Sequence, residues 1–176
     1  NMVVRLDGKM KALPRVRSIK AIGRDGTIYG SLTGSGQLAY ALADEPEQWS
    51  FTGCEMAAVR EVFVGARDEV WVVGSGSDQA AQFAWCEKDQ WYLRTPEELQ
   101  GQRLGNMCAD PREGVWAIVF PRDDAVNYRL AHVTKAAVAW DDASTNLPAV
   151  MYPNVRIAAG QCWLIGYSGI FARPLD

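Results

Sequence analysis

The sequence predicts an all-β domain built from four successive antiparallel sheets of about 45 residues each. Three observations carry this expectation: a short apolar run with an aromatic that recurs four times, tight-turn residues before each run, and glycine- and serine-rich segments after it. The runs are Gly26-Thr27-Ile28-Tyr29-Gly30, Glu69-Val70-Trp71-Val72-Val73-Gly74, Gly114-Val115-Trp116-Ala117-Ile118-Val119 and Gln161-Cys162-Trp163-Leu164-Ile165-Gly166. Their aromatics, Tyr29, Trp71, Trp116 and Trp163, are spaced by 42, 45 and 47 residues.

The flanks repeat with the runs. A first strand is expected about a dozen residues earlier, at Val16-Arg17-Ser18-Ile19, Val59-Arg60-Glu61-Val62 and Leu104-Gly105-Asn106-Met107; the fourth copy, Val155-Arg156-Ile157, lies eight residues before Trp163. Between the first strand and the aromatic run come the turns Arg24-Asp25-Gly26, Arg67-Asp68-Glu69 and Pro111-Arg112-Glu113-Gly114. After it, Thr33-Gly34-Ser35-Gly36, Gly74-Ser75-Gly76-Ser77 and Tyr167-Ser168-Gly169 offer the positive φ that hairpins need. A third strand follows at Leu38–Leu42, Gln82–Trp85 and Tyr128–Val133, and a fourth begins near Trp49, Trp91 and Trp140. Such strands are rich in β-branched and aromatic residues.

An isolated four-stranded sheet of this composition would leave apolar faces in water. Packing four of them face to face around an axis buries those faces, so a four-bladed β-propeller is expected. A β-sandwich of the same length has no reason to repeat four times. The Val-Trp-Val-Val-Gly run also resembles the apolar strand of the β-propeller superfamily, and the resemblance covers nearly the whole chain, without the Gly-His mark or the blade-by-blade Trp-Asp of WD40 repeats (Trp140-Asp141 occurs once).

The expected blades lie near 16–52, 56–94, 103–142 and 152–176 plus 3–13, as one domain over 2–176. The last copy leaves only 13 residues after Trp163, whereas β-like sequence is in surplus at the N-terminus: Val3-Val4-Arg5-Leu6, then Asp7-Gly8, then Lys9–Leu13. Asp-Gly between strand-like runs is a hairpin signal, and the N-terminal segment is expected to close the fourth blade. Asn1 before Met2 reads as a tag remnant, and no signal peptide is expected. Arg94–Gln100 predicts one helical turn, with Thr95 as cap and Pro96 in first position; 141–151 reads as an irregular loop.

Composition narrows the function classes. Apolar residues are 48%, charged residues 22%, and the net charge is −3, with a pI of about 5.2. No Lys/Arg run is available to hold phosphates, so nucleic-acid binding is not expected. No apolar stretch reaches the roughly 18 residues of a membrane helix, and a cytoplasmic location is expected. Cys54, Cys86, Cys108 and Cys162 stand far apart and read as buried thiols. With His132 the only histidine and no clustered ligands, no catalytic, metal or cofactor site is expected, and the chain is read as no enzyme. His132 itself reads as a structural or surface strand residue.

Acidic clusters in the variable connections point to a protein partner. The expected contact residues are Asp44, Glu45 and Glu47; Phe120, Arg122, Asp123, Asp124 and Tyr128, as aromatic anchors beside charge; and Asp141 with Asp142. The expected function is a non-catalytic protein-binding module, a small acidic inhibitor such as an immunity protein that neutralises a basic bacterial toxin, for example a nuclease. The alternative is a carbohydrate-binding propeller that stacks sugars on Trp49, Trp91 and Trp140.

Overall fold

The structure is a computed structural model that describes residues 2–6, 9–13, 16–32, 37–65, 69–123, 127–142, 153–166 and 169–175. The chain divides into two compact units, Asn1–Thr95 and Pro96–Asp176.

The first unit opens with a hairpin of β1 (Met2–Leu6) and β2 (Lys9–Leu13), which pair in register from Met2↔Leu13 to Leu6↔Lys9. The Asp7-Gly8 turn expected between them lies outside the described residues. Two four-stranded antiparallel sheets follow. The first is β3 (Val16–Ile22), β4 (Ile28–Leu32), β5 (Leu38–Ala41) and β6 (Ser50–Phe51); the second is β7 (Ala58–Val64), β8 (Val70–Ser75), β9 (Ala81–Glu87) and β10 (Gln90–Arg94). In both sheets the strands lie side by side in sequence order.

The second unit begins with a single 3-10 turn, η1 (Glu97–Leu99), whose preceding residue is Pro96 in extended conformation with no side-chain cap. Thr95, expected as the cap, instead receives the Gln82 side-chain amide at 3.2 Å. The third sheet is β11 (Gln102–Ala109), β12 (Val115–Pro121), β13 (Arg129–Val133) and β14 (Val138–Asp141), and the fourth is β15 (Asn154–Ala158), β16 (Gln161–Gly166) and β17 (Gly169–Pro174).

Burial explains why the repeat reads as it does. Val70–Gly74 of β8 and Val115–Val119 of β12 are buried at every position, because a strand flanked by two others and covered on both faces has no solvent side. Both sheets of the first unit feed one apolar cluster, Leu38 with Cys54, Met56, Val62, Val70, Val72 and Ala84. The second unit has its counterpart in Cys108, Trp116, Ile118, Tyr128, Leu130, Val155, Cys162 and Leu164. Each cluster therefore joins one sheet to the next.

The repeat aromatics hold one register. Tyr29 lies opposite Tyr40, Trp71 opposite Trp85, Trp116 opposite His132 and Trp163 opposite Ala172. Six residues before each of the first three aromatics, the amide of Gly23, Gly65 and Asp110 donates to the carbonyl of Thr27, Glu69 and Gly114 at 2.8, 2.7 and 2.9 Å, so one five-residue turn recurs. The turn after β8 departs from expectation. Its positive φ falls on Gln79, at 66°, rather than on Gly74 or Gly76. Gly74 is needed for a different reason: a Cβ there would collide with the Ala58 carbonyl oxygen and the Met56 sulfur.

The fourth sheet has three strands and the N-terminal hairpin two. The closure expected of the N-terminal segment predicts that deleting residues 2–13 abolishes cooperative unfolding. Thermal melts followed by near-UV circular dichroism check this, and a truncated chain that melts as sharply as the full one refutes it.

Candidate interaction site

The expected contact residues fall into different environments. Asp44, Glu45 and Glu47 are all exposed on the connection from β5 to β6. That connection is folded: the Glu45 amide donates to the Leu42 carbonyl at 3.1 Å, the Gln48 amide to the Glu45 carbonyl at 3.0 Å, and Pro46 is buried. Three carboxylates are thus presented on consecutive turns, next to Tyr40 and Leu42, which are 37% and 48% exposed.

In the second unit the expected anchors turn inward. Tyr128 is buried in the unit core with half-buried Phe120 packed against it, the two rings 5.9 Å apart. Arg103 lies over the outer face of Phe120, 5.8 Å from the ring centre. This pair closes the β12–β13 connection rather than offering an apolar surface, while Arg122 and Asp123 are exposed. Asp124 lies outside the described residues. Asp141 is a buried carboxylate, ion-paired to Arg173 at 3.1 Å, and Asp142 is fully open to solvent, 3.9 Å from Arg129.

The most connected polar group is one the sequence did not single out. Asp110, solvent-inaccessible at the turn from β11 to β12, gathers four donors. Its Oδ1 accepts the Arg112 amide at 2.8 Å and Arg112 Nε at 3.2 Å; its Oδ2 accepts Arg112 Nη2 at 3.1 Å and the Trp116 indole N–H at 2.8 Å. His132 Nε2 stands 3.4 Å from the same oxygen and 2.9 Å from the Glu113 carbonyl, and its ring stacks on Trp116 at 4.7 Å and 7°. The Glu113 carboxylate in turn accepts the Lys135 amide at 3.2 Å. One carboxylate thereby ties the turn to β12, and through His132 and Glu113 to β13 and the turn beyond it. The signal for it was available: Asp110 stands where the first two repeats have Gly23 and Gly65.

Burial alone pushes the Asp110 carboxyl up, but the Arg112 side chain and amide, the Trp116 N–H and the nearby His132 together hold it below the usual carboxylate value. Asp25, at the corresponding turn of the first sheet, is also lowered, chiefly by the Thr27 amide at 3.0 Å and then by the Thr27 hydroxyl at 2.8 Å. Asp25 and Arg112 thus serve their own turns, whereas Glu113 reaches β13 and the turn beyond it. Arg67-Asp68 lies outside the described residues.

The fourth-strand tryptophans are also engaged internally. Trp49 lies against Gly30, where an added Cβ would sit 3.1 Å from its ring. Trp91 packs on the first unit's core cluster, and the Arg129 guanidinium covers Trp140 at 4.3 Å. All four cysteines are free thiols. Burial pushes Cys54 and Cys162 up to about 11 and Cys108 up to about 12. Among the described residues no group of His, Cys, Asp and Glu is placed to hold a metal ion, and no helix is long and apolar enough to cross a membrane.

No family model matches this chain, nor does any curated protein. Solved structures do. YCF48 bound to D1 peptide is 15% identical over 92% of this chain and 51% of that one, with a TM-score of 0.54. Virginiamycin B lyase from Staphylococcus aureus, as a catalytically inactive variant with quinupristin, is 10% identical over 99% of this chain and 59% of that one, with a TM-score of 0.60. Its selenomethionine-substituted form is 11% identical with the same coverage and TM-score. The fold is a β-propeller. Its four blades are the four sheets described above. The chain spans between half and three-fifths of the length of these structures, and at such identities the likeness is one of fold.

Two outcomes follow from the geometry. Asp110→Asn keeps the shape but loses the charge-assisted bonds, so it is expected to cost about 1.5–3 kcal/mol at neutral pH. Because the Asp110 pKa is depressed in the folded chain, its stabilisation is present above the unfolded carboxylate value near 3.9 and is lost as pH falls through the folded value. Urea unfolding at pH 7 and pH 3 checks this: the gap between wild type and variant is wide at the first and narrows at the second. For the thiols, Ellman's reagent is expected to label Cys86, which is half-buried, before Cys54, Cys108 and Cys162, which react only on unfolding.

Proposed function

We propose that this chain is a non-catalytic protein-binding propeller, and more finely a small acidic inhibitor that neutralises a basic partner such as a bacterial toxin nuclease by direct contact. The observation that carries this reading is the juxtaposition on the first sheet of Tyr40 and Leu42 with the exposed carboxylates of Asp44, Glu45 and Glu47. An apolar centre with a charged rim is the arrangement that protein interfaces use. The folded turns fix the backbone that carries these carboxylates before any partner arrives, so little main-chain ordering entropy is lost on contact. The net charge of −3 adds long-range attraction for a cationic partner. The likeness to YCF48, a propeller solved with a peptide bound, supports the protein-binding part of the reading.

Tagged chain co-expressed with the product of the neighbouring gene tests the reading by co-purification and by protection of the host from growth arrest. With that partner, Asp44→Lys, Glu45→Lys and Glu47→Lys together are expected to lower the association rate by about 10-fold or more at low salt, with a smaller effect at high salt. Unchanged association kinetics in the triple variant would remove the acidic loop from the interface.

A further inference from the structure

β10 is the outer strand of the second sheet, and its hydrogen-bonding parity follows from the turn that precedes it. Lys88 and Asp89 form a two-residue connection with φ of 49° and 63°, the left-handed pair of a tight hairpin. Such a hairpin is closed by a residue pair that exchanges both backbone bonds, here Glu87 with Gln90. Alternation then makes Trp85↔Tyr92 and Phe83↔Arg94 the bonded pairs, while Cys86↔Trp91 and Ala84↔Leu93 are the non-bonded ones. The N–H and C=O of Trp91 and Leu93 therefore point away from β9, toward the open edge, and among the described residues no backbone group meets them.

The side chains of the same two residues flank a groove. Trp91 and Leu93 share a face with Ala84, and the segment Gly53-Cys54-Glu55 forms the opposite wall, enclosing about 230 Å³. Drug-sized ligands occupy pockets of roughly 300–1,000 Å³, so this groove has room for a single side chain. Its accessible lining is more polar than apolar, and the Cys54 thiol within it is 6% exposed and stays neutral, being pushed up to about 11 by burial. Leu93 is 44% exposed. The one charged group on the lining is the exposed Glu55 carboxylate.

Outer strands are usually blunted, since an open row of amides and carbonyls recruits other chains. The outer strand of the first sheet, β6, has two residues and that of the third, β14, four. β10 has five, with no proline, glycine or register shift.

We propose that the β10 edge takes an extended segment of a partner protein as a fifth strand, with one uncharged side chain of that segment in the groove beside Trp91 and Leu93 and a neighbouring basic side chain on Glu55. The backbone of Trp91 and Leu93 supplies affinity, and the groove with its carboxylate supplies sequence preference. A cationic segment is favoured over a second copy of this chain because the groove's charge and the net charge of −3 are both negative. The inference rests on the protein-binding reading for its biological occupant, and it concerns a surface separate from the acidic loop.

The probe is the capped pentapeptide Lys-Val-Leu-Val-Lys, titrated into the full chain with amide and indole NMR shifts as the readout. Expected are saturable shifts at the Trp91 and Leu93 amides, with affinity weakened by about 10-fold or more when the three central residues are N-methylated or when both lysines are replaced by glutamates. Leu93→Pro removes an outward N–H without breaking the ladder to β9 and is expected to cost at least a similar factor; Glu55→Gln is expected to cost several-fold for the lysine peptide alone. Equal binding of the N-methylated peptide, shifts that map elsewhere, or no shifts at millimolar peptide would each overturn the proposal. The N-methylated peptide decides the matter even if Leu93→Pro fails to fold. A concentration-dependent dimer lost in Leu93→Pro would assign the edge to a second copy and also overturn it. A natural partner that binds Leu93→Pro at full strength sinks the edge and leaves the protein-binding reading intact. Pentapeptide binding without any protein partner does the reverse.

Discussion

The fold depends on strands that must be buried on both faces. β8 and β12 each lie between two neighbours in their sheet, and their side chains point alternately to two apolar environments. A lone sheet could satisfy neither of those faces. The stacking of one sheet on the next, through the clusters around Val72 in one unit and Ile118 in the other, satisfies one of them. Val72, Val73, Val115 and Ile118 have essentially no exposed surface. At about 1.5–3 kcal/mol for each fully buried aliphatic side chain, this face-to-face packing is a principal force holding the repeats together.

The same register shows how one scaffold position takes different chemistry. Trp71 stacks on Trp85 at 5.4 Å, and Trp85 on Tyr92 at 5.7 Å, making an aromatic ladder across three strands. One sheet later the pair is Trp116 on His132. That exchange is linked to the glycine at the turn. Asp110 supplies Trp116 with an acceptor for its indole N–H, whereas Gly65 offers none and the buried Trp71 N–H has no acceptor among the described residues. Leaving such a donor buried without a partner costs on the order of 1–3 kcal/mol. The third sheet replaces part of an apolar ladder with a saturated polar hub, while the second keeps the ladder and leaves that donor unmet.

Much of the architecture was legible because double-sided burial writes itself as uninterrupted apolar runs, and the turn residues between them mark the period. Other features depend on contacts that no local pattern encodes. Gly74 is a glycine because the Ala58 carbonyl approaches it, and its φ is ordinary; Gln79 carries the turn's positive φ instead. The exposed acids of 44–47 were readable as a polar connection. Tyr128 was not readable as core, because the residue just before a strand faces inward or outward according to that strand's parity. Asp141 likewise reads as a surface acid until Arg173, far along the chain, is seen beside it. The edge of β10 was hidden for the same reason: which amides point outward is decided by the two-residue turn at Lys88-Asp89.

The two units differ in what their polar groups have left to do. In the second, Asp110, Arg112, Trp116, His132 and Glu113 bond to one another, and Asp141 is held by Arg173, so these groups are committed to the fold. In the first, the carboxylates of 44–47 face solvent beside exposed Tyr40 and Leu42, and the outward amides of β10 stand beside exposed Leu93. Both surfaces stand on sheets joined by one dense cluster, in which Leu38 and Ala84 are 1% exposed. A surface fixed by such a core enters a complex with little conformational entropy left to lose, which is where modest contacts become affinity. On the proposed protein-binding reading, recognition is expected to concentrate on the first unit, while the second unit's network keeps its own turns in place.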